Sequence, residues 1–281
     1  MPSNRGKVWL ITGCSSGLGM ALAKATLSHG ERVIITARKP ATLEHLAASY
    51  KDTSLALPLD VNDNAQITSA LARGKERFGP IDVIVNNAGF LKLGAVEETS
   101  NEDYREMFGT NFFGPFQLIR AVLPEMRLQR NGHIVNISSI GSFDPRPGAS
   151  AYSAAKAALD AASEALATEV RPFGIKVSIV VLGAFRTQVM ESMTYSAKVI
   201  EDYKTTAHAT RDRFIANSGR QAGDPHKAAL AIIEGVYNEQ APLRIPLGPG
   251  SVDRVRRKLA SVAQEIDAGA QVASSLTYDE A

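Results

Sequence analysis

The sequence predicts an α/β protein built on one doubly wound parallel sheet with helices on both faces. Three observations carry this expectation. Apolar, β-rich runs alternate with helical patterns along most of the chain. The runs are near-continuously apolar rather than alternating, as strands covered on both faces must be. The helical stretches end on glycine- or proline-bearing stops, at SHGE (28–31), RFGP (77–80) and RPFG (171–174).

The elements follow in order. KVWLIT (7–12) opens the sheet and leads into a helix over 17–29. RVIITA (32–37) and a helix over 40–50 come next, then SLALPL (54–59) and a helix over 63–78. IDVIVN (81–86) precedes a long helical stretch, 101–130, with a break near Gly109. HIVNIS (133–138) feeds a helix over 151–171, and KVSIVVL (176–182) is the sixth strand. Beyond residue 187 the pattern loosens, and 188–222 reads as a helical insertion forming a substrate lid, with no clear strand. DPHKAALAIIEGVYN (224–238) is a helix with Pro225 in its first turn, PLRIPLG (242–248) a last strand, and 253–266 a basic amphipathic helix. The tail, 267–281, is small and polar and is expected to be mobile. No repeat or linker interrupts the chain, so a single domain over 1–281 is expected, with 7–187 as its cofactor and catalytic core.

Composition narrows the function classes. The 31 basic and 29 acidic residues nearly balance, and no basic block or aromatic-basic alternation suggests nucleic acid. No apolar run approaches the ~20 residues of a membrane span. Cys14 is the only cysteine, which points to a reducing, cytoplasmic setting, and the five histidines lack ligand spacing, so no metal is expected.

The turn after the first strand is Thr12-Gly13-Cys14-Ser15-Ser16-Gly17-Leu18-Gly19. Small residues there let backbone amides and the next helix's N-terminus approach a pyrophosphate. The bland alternative is a glycine-rich turn chosen for close packing. An NAD site usually places an acid at the end of the second strand to hold the ribose hydroxyls. This chain has Thr36-Ala37-Arg38-Lys39 and no acid until Glu44. Arg38, with Lys39 adding to the field, suits a 2′-phosphate, so NADP(H) is the expected cofactor.

TGCSSGLG (12–19), NNAG (86–89), Asn111 in NFFG, Ser139 in NISSIG and the Tyr152-x-x-x-Lys156 pair occur in the order of one family. On these motifs the chain resembles the short-chain dehydrogenase/reductase family from about residue 7 to 187. Phrases such as GAVEE (94–98), FGTNFFGP (108–115) and AFRT (184–187) look most like its NADP-dependent carbonyl reductase and hydroxysteroid or retinol dehydrogenase-like branch. The resemblance implies a Rossmann-type, seven-stranded parallel sheet. It also implies that Tyr152 is the general acid/base, with Lys156 stabilising its phenolate and holding the nicotinamide ribose. Ser139 would donate to the substrate oxygen, and Asn111 would hold a water linking the lysine to solvent. Asp60-Val61 would meet the adenine, and Asn87-Ala88-Gly89 would line the cofactor. Gly183 would lie beside the nicotinamide, and Thr187 would meet its carboxamide. Other readings stay open: Ser138 competes with Ser139, Asn111 could be a helix cap, and Asp60 could cap the helix after it. The family's Pro-Gly after the sixth strand is Leu182-Gly183 here, which puts that loop's geometry in question.

The candidate substrate wall is Phe90, Leu91, Leu93, Ile140, Phe143, Phe185, Met190 and Met193, each equally able to be core. An apolar wall suggests a hydrophobic ketone or aldehyde, reduced reversibly, rather than a charged metabolite. Alternatives are physiological oxidation of a steroid-, retinol- or polyketide-like secondary alcohol, or an NADP-sensing protein without turnover. The resemblance also implies a homodimer or homotetramer formed through the helices at 112–130 and 151–171.

Overall fold

The structure is a computed structural model that describes residues 6–187 and 193–276. The strands β1 (Val8–Ile11), β2 (Arg32–Ala37), β3 (Ser54–Pro58) and β4 (Val83–Asn86) alternate with α1 (Gly17–Ser28), α2 (Glu44–Ser49) and α3 (Asn64–Phe78). After β4 come a short β5 (Lys92–Leu93), then α4 (Asn101–Phe108), α5 (Gly114–Gln129), β6 (Gly132–Ser139), α6 (Ser150–Val170) and β7 (Ile175–Leu182). The chain finishes with β8 (Thr194–Tyr195), α7 (Ala209–Ala216), α8 (Pro225–Tyr237), β9 (Arg244–Leu247) and α9 (Ser251–Ser274).

The main sheet has seven parallel strands in the order β3-β2-β1-β4-β6-β7-β9. The chain winds outward from β1 to β3, then returns to add β4 on the other side of β1. Strand carboxyl ends therefore part at the β1/β4 junction, where a doubly wound sheet leaves its crevice. Successive strand residues serve opposite faces. Trp9 and Ile11 pack with α1 and α8, whereas Val8 and Leu10 pack with α3 and α5. Trp9, Leu10 and Ile11 are all fully buried, and each such side chain contributes roughly 1.5–3 kcal/mol. This makes β1 a rigid base for the turn that follows it.

Local signals place the helix ends. Asp63 caps α3 by accepting from the Ala65 and Gln66 amides, which lowers its own carboxyl pKa, the Gln66 amide contributing most. Asp60 is thus not that cap. Gly79 closes α3 with φ +88°, a conformation that favours glycine. The break expected near Gly109 is a wide π-helical turn, Gly109–Phe113, joining α4 to α5.

The 188–222 stretch differs from a purely helical insertion. Residues 188–192 lie outside the described residues, and so does Met190. The remainder holds β8, a 3₁₀ turn at Glu201–Tyr203, a π-helical turn at Lys204–His208, and α7. β8 pairs in parallel with β5, two residues on each side, too short for periodicity to announce. A buried latch fastens the same region: His208 Nε2 and Glu98 Oε1 are 2.7 Å apart, and Glu98 also accepts from the Ala95 and Ile200 amides. Burial alone would raise the Glu98 carboxyl pKa, but these partners together bring it below its ordinary value. The C-terminal helix also differs, running past 266 to Ser274 because DAGAQVAS is mostly small helix-compatible side chains.

Candidate active site

The turn after β1 and the turn after β4 are stitched together. Thr12 Oγ1 accepts from the amides of Asn87 and Ala88 at 3.0 and 2.9 Å, and donates to the Val85 carbonyl at 3.2 Å. Asn87 Nδ2 returns two bonds, to the carbonyls of Thr12 and Gly13. Gly13 has φ +70°, and a Cβ there would fall 2.9 Å from Ala88 Cα. A Cβ on Gly19 would fall 2.2 Å from the Gly13 carbonyl oxygen, so α1 can start this close only because position 19 has no side chain. Ser16 precedes α1 without using its side chain as a cap, and no acid sits in the first turn. The amides of that turn are therefore offered to an outside anion. Cys14 plays no chemical part. Its thiol is fully buried, donates to the Ile11 carbonyl, and is pushed up to about 12 by burial.

A cleft of about 1190 Å³ runs along these turns and the carboxyl ends of β1, β2, β4, β6 and β7. Gly13, Ser15, Ser16, Gly17, Leu18 and Gly19 line it, as do Arg38, Asp60, Val61, Asn87, Ala88, Gly89, Gly183 and Thr187. Lys39 is exposed and lies outside the lining, so Arg38 is the cation that β2 presents to the cleft. Asp60 is fixed in its own turn, its Oδ1 accepting from the Asn62 amide at 2.9 Å. Leu182 stays within β7, and Gly183 N donates to the Leu247 carbonyl at 2.8 Å. Sheet pairing with β9 thus holds the loop where the family has its proline.

Farther along the cleft, four polar side chains from three elements converge. Ser139 ends β6, and its Oγ accepts from the Gly141 amide at 3.1 Å. Tyr152 and Lys156 lie one turn apart on α6 and share a face. A Cβ on Gly141 would touch Ser139 Oγ and Tyr152 Cε1 alike, at 3.5 and 3.6 Å, so these two groups face the same small gap. Loss of surrounding water raises the Tyr152 phenol above its ordinary pKa; the Ser139 hydroxyl opposes this and the Asp160 charge adds to it. Lys156 is buried, donates to the Ile137 carbonyl at 2.7 Å, and is lowered to about 8 by burial against the opposing charge of Asp160.

Asn111 sits on the π-helical turn with no exposed surface. Its Nδ2 donates to the carbonyls of Phe90 and Met107, at 3.1 Å each, and meets Met107 Sδ at 3.0 Å. Its Oδ1 is buried without a partner. A Cβ built on Gly89 would lie 2.6 Å from that oxygen and 3.6 Å from Lys156 Nζ. The orphan acceptor and the amine therefore flank one glycine-made space, of the kind a bound water fills. Asn111 is an interior residue here, not a helix cap.

The apolar candidates divide. Phe90, Leu91, Ile140 and Phe185 line the cleft. Leu93 and Met193 do not: they are buried with Leu91 and Ala149 beneath Tyr152 and Phe214, where β5 meets β8. Phe143 also faces away from the cleft lining, with the Arg244 guanidinium 5.8 Å from its ring centroid. Three lining residues of the same end, Ala149, Thr210 and Phe214, were not apparent from the sequence. Asp160 was also missed, although it lies one more turn along α6 from Lys156. Its side chain is buried, both oxygens lack a hydrogen-bond partner, and burial raises its pKa against the opposing influence of Ser138, Ser142, Lys156 and Arg244. A single acid at the next helical turn in AYSAAKAALDAA was the available signal. Among the described residues there is no cluster of three or more His, Cys, Asp or Glu able to hold a metal, and no helix long and apolar enough to cross a membrane.

Known proteins share this framework. A family model described as short chain dehydrogenase matches residues 7–197. Oxidoreductase BOA17 from Botryotinia fuckeliana (strain B05.10) is 39% identical over 248 residues, covering 88% of this chain and 90% of that protein. A 3-ketodihydrosphingosine reductase from Bacteroides thetaiotaomicron is 36% identical over 245 residues, covering 86% and 88% respectively. A solved short-chain dehydrogenase from Streptomyces avermitilis superposes with a TM-score of 0.90 at 43% identity, over 97% of this chain and all of that one. The family match spans both glycine-bearing turns, the π-helical turn and all of α6, the elements that shape the cleft. The chain is an oxidoreductase of the short-chain dehydrogenase family.

Proposed function

We propose that the protein reduces a hydrophobic ketone or aldehyde with NADPH, using Tyr152 as proton donor. The observation that carries this reading is the meeting of Ser139, Tyr152, Lys156 and the orphan Asn111 oxygen along one cleft. The cofactor fits the residues present: glycines 13 and 19 leave a cradle that any side chain would fill, and α1 opens it with free amides. Arg38 would hold the 2′-phosphate and Asp60 and Val61 the adenine, with Asn87 to Gly89, Gly183 and Thr187 along the rest. When bound, the dinucleotide supplies the hydride. Tyr152 donates its phenolic proton to the carbonyl oxygen, and Ser139 steadies the same oxygen by donating from its hydroxyl. Lys156, charged near neutrality, favours the phenolate left behind. The Asn111 oxygen and Lys156 would share a water through which the proton is replaced. The Bacteroides relative is named for reduction of a keto compound, which agrees in reaction type. A homodimer or homotetramer through α5 and α6 accompanies this reading, tested by light scattering.

The direct test follows NADPH absorbance with a panel of aliphatic and aryl ketones. Substrate-dependent oxidation of NADPH is expected. Tight NADPH binding with no turnover across the panel would instead favour a dinucleotide sensor.

Asp160 gives this reading a pH signature. Its negative charge favours protonated Lys156 and disfavours ionised Tyr152. Replacing it by asparagine removes both effects, so each group loses its proton at lower pH. The alkaline fall in ketone reduction should move to lower pH in Asp160→Asn. A pH–rate profile that stays in place would show that the carboxyl does not act on the pair.

A further inference from the structure

We propose that the end of the cleft beyond Tyr152 binds an anionic group, carboxylate or phosphate, carried by the hydrophobic carbonyl compound at a distance from its carbonyl. This rests on the reductase reading above and narrows its substrate class.

The floor at this end is apolar, made by Leu91, Ala149 and Phe214 around the Tyr152 ring. Its rim is not. Arg146, Arg213 and Arg220 all line the cleft, from the loop before α6, from α7 and from the loop after it. Arg146 makes the turn that ends at Ala149, whose amide donates to its carbonyl at 3.1 Å. Arg213 directly precedes Phe214, so both arginines border the patch that carries Tyr152.

The acids of this wall are already engaged. Asp144 holds Arg254 through a forked contact, at 2.9 Å to Nε and 2.5 Å to Nη2. Glu106 holds Lys92 at 3.0 Å, and Asp103 holds the same amine at 2.6 Å. Lys92 and Arg254 are thereby neutralised where they face the cleft. Arg146, Arg213 and Arg220 make no ion pair with any acid among the described residues. Gln221, only 7% exposed, also lines the cleft, and neither its amide oxygen nor its nitrogen has a hydrogen-bond partner. Its backbone is pinned by Arg186 Nε at 3.1 Å. The wall therefore presents the Arg146 and Arg213 guanidinium groups with its acids spent elsewhere, and Arg220 and the unused Gln221 amide add donors along the same cleft. Donors in excess of acceptors, over an apolar floor, match an amphiphile whose far end is negative. The cofactor's own phosphate has a separate cation in Arg38, at the end of β2.

The sequence reading set aside charged metabolites because only the apolar candidates were visible. The arginines change that conclusion for the far end of the ligand, not for the part around the carbonyl.

The test uses the purified protein with NADPH and medium-chain methyl ketones ending in a carboxylate, each paired with its methyl ester. A second series ends in a phosphate monoester, each paired with the free alcohol, and tells phosphate from carboxylate. One or both anions should be preferred over the neutral partner by about tenfold in kcat/KM at low salt, and the preference should shrink as salt is added. In Arg146→Ala with Arg213→Ala the ratio should fall to near one, with unchanged NADPH affinity as the check on folding. Neutral compounds preferred by the natural protein, or an anion preference that survives both substitutions, would overturn the site. If no ketone is reduced although NADPH binds, the reductase reading fails on its own. Calorimetric binding of acid against ester to the NADPH complex then decides the anion site, and equal affinities overturn it.

Discussion

Tyr152→Phe is expected to lower kcat for ketone reduction by about 10³-fold while leaving NADPH affinity unchanged. The substitution removes one atom. The ring that remains keeps its packing against Phe90, Met107, Ala151 and Ala155 on one side and the Leu91–Phe214 patch on the other. Stability should therefore hold, and the loss is chemical rather than structural. Ser139 can still donate to the carbonyl oxygen, and Lys156 remains bonded to Ile137, so some electrostatic help survives. Neither takes over the transfer: Lys156 Nζ lies at the Gly89–Asn111 space and donates to the Ile137 carbonyl, and the serine hydroxyl is far less acidic than a phenol. Stopped-time NADPH oxidation and equilibrium NADPH titration, run on both proteins, separate the two effects. A rate within a few-fold of the natural protein would remove Tyr152 from the proton-transfer step and move attention to a water near Asn111.

How much of this was legible in the sequence differs by residue for physical reasons. Most strands of the main sheet were readable because short β-rich apolar runs alternate with helical patterns, as strands buried on both faces do. The turn at 12–19 was readable because close backbone approach needs side chains that are absent, and the absence of atoms is visible in a sequence. Tyr152 and Lys156 were legible because two polar groups interrupt an alanine-rich helix one turn apart, whereas Ser139 was singled out from Ser138 only by the family resemblance. Leu93, Phe143 and Met193 were not separable from Phe90 and Phe185. An apolar side chain in a loop looks the same whether it covers a cleft or fills the space beneath it, and here the two-residue pairing of β5 with β8 decided the matter. The arginines at 146, 213 and 220 carried no signal either. A charged residue in a loop ordinarily faces solvent, and only the folded chain shows that Asp144 and Glu106 are taken by other cations. The latch between Glu98 and His208 joins residues 110 positions apart, a pairing no local pattern announces.

Arg38→Asp is expected to reverse the choice of dinucleotide. Residue 38 follows directly on β2, whose end is held from two sides. Thr36 Oγ1 donates to the Ile11 carbonyl at 3.0 Å, and the Thr36 carbonyl accepts from the Cys14 amide at 2.8 Å. On the other side the Ala37 carbonyl accepts from the Leu59 amide at 3.0 Å, which ties the neighbouring Asp60 turn to the same point. The side chain at 38 thus projects from a fixed base into the cleft, and its charge rather than its backbone is what a substitution changes. A guanidinium lost from a phosphate, with a carboxylate set in its place, should weaken NADPH by about 10²-fold. The same carboxylate can accept from both ribose hydroxyls, as acids at this position do in NAD sites, and should strengthen NADH by about tenfold. The ratio of kcat/KM for the two dinucleotides should therefore swing by about 10³-fold, with little change in the substrate's own KM. Lys39, exposed and outside the cleft lining, should not rescue NADPH. If the natural protein already uses NADH and NADPH equally well, Arg38 is a solvated cation beside the cleft, and its part in cofactor choice is withdrawn whatever the variant does.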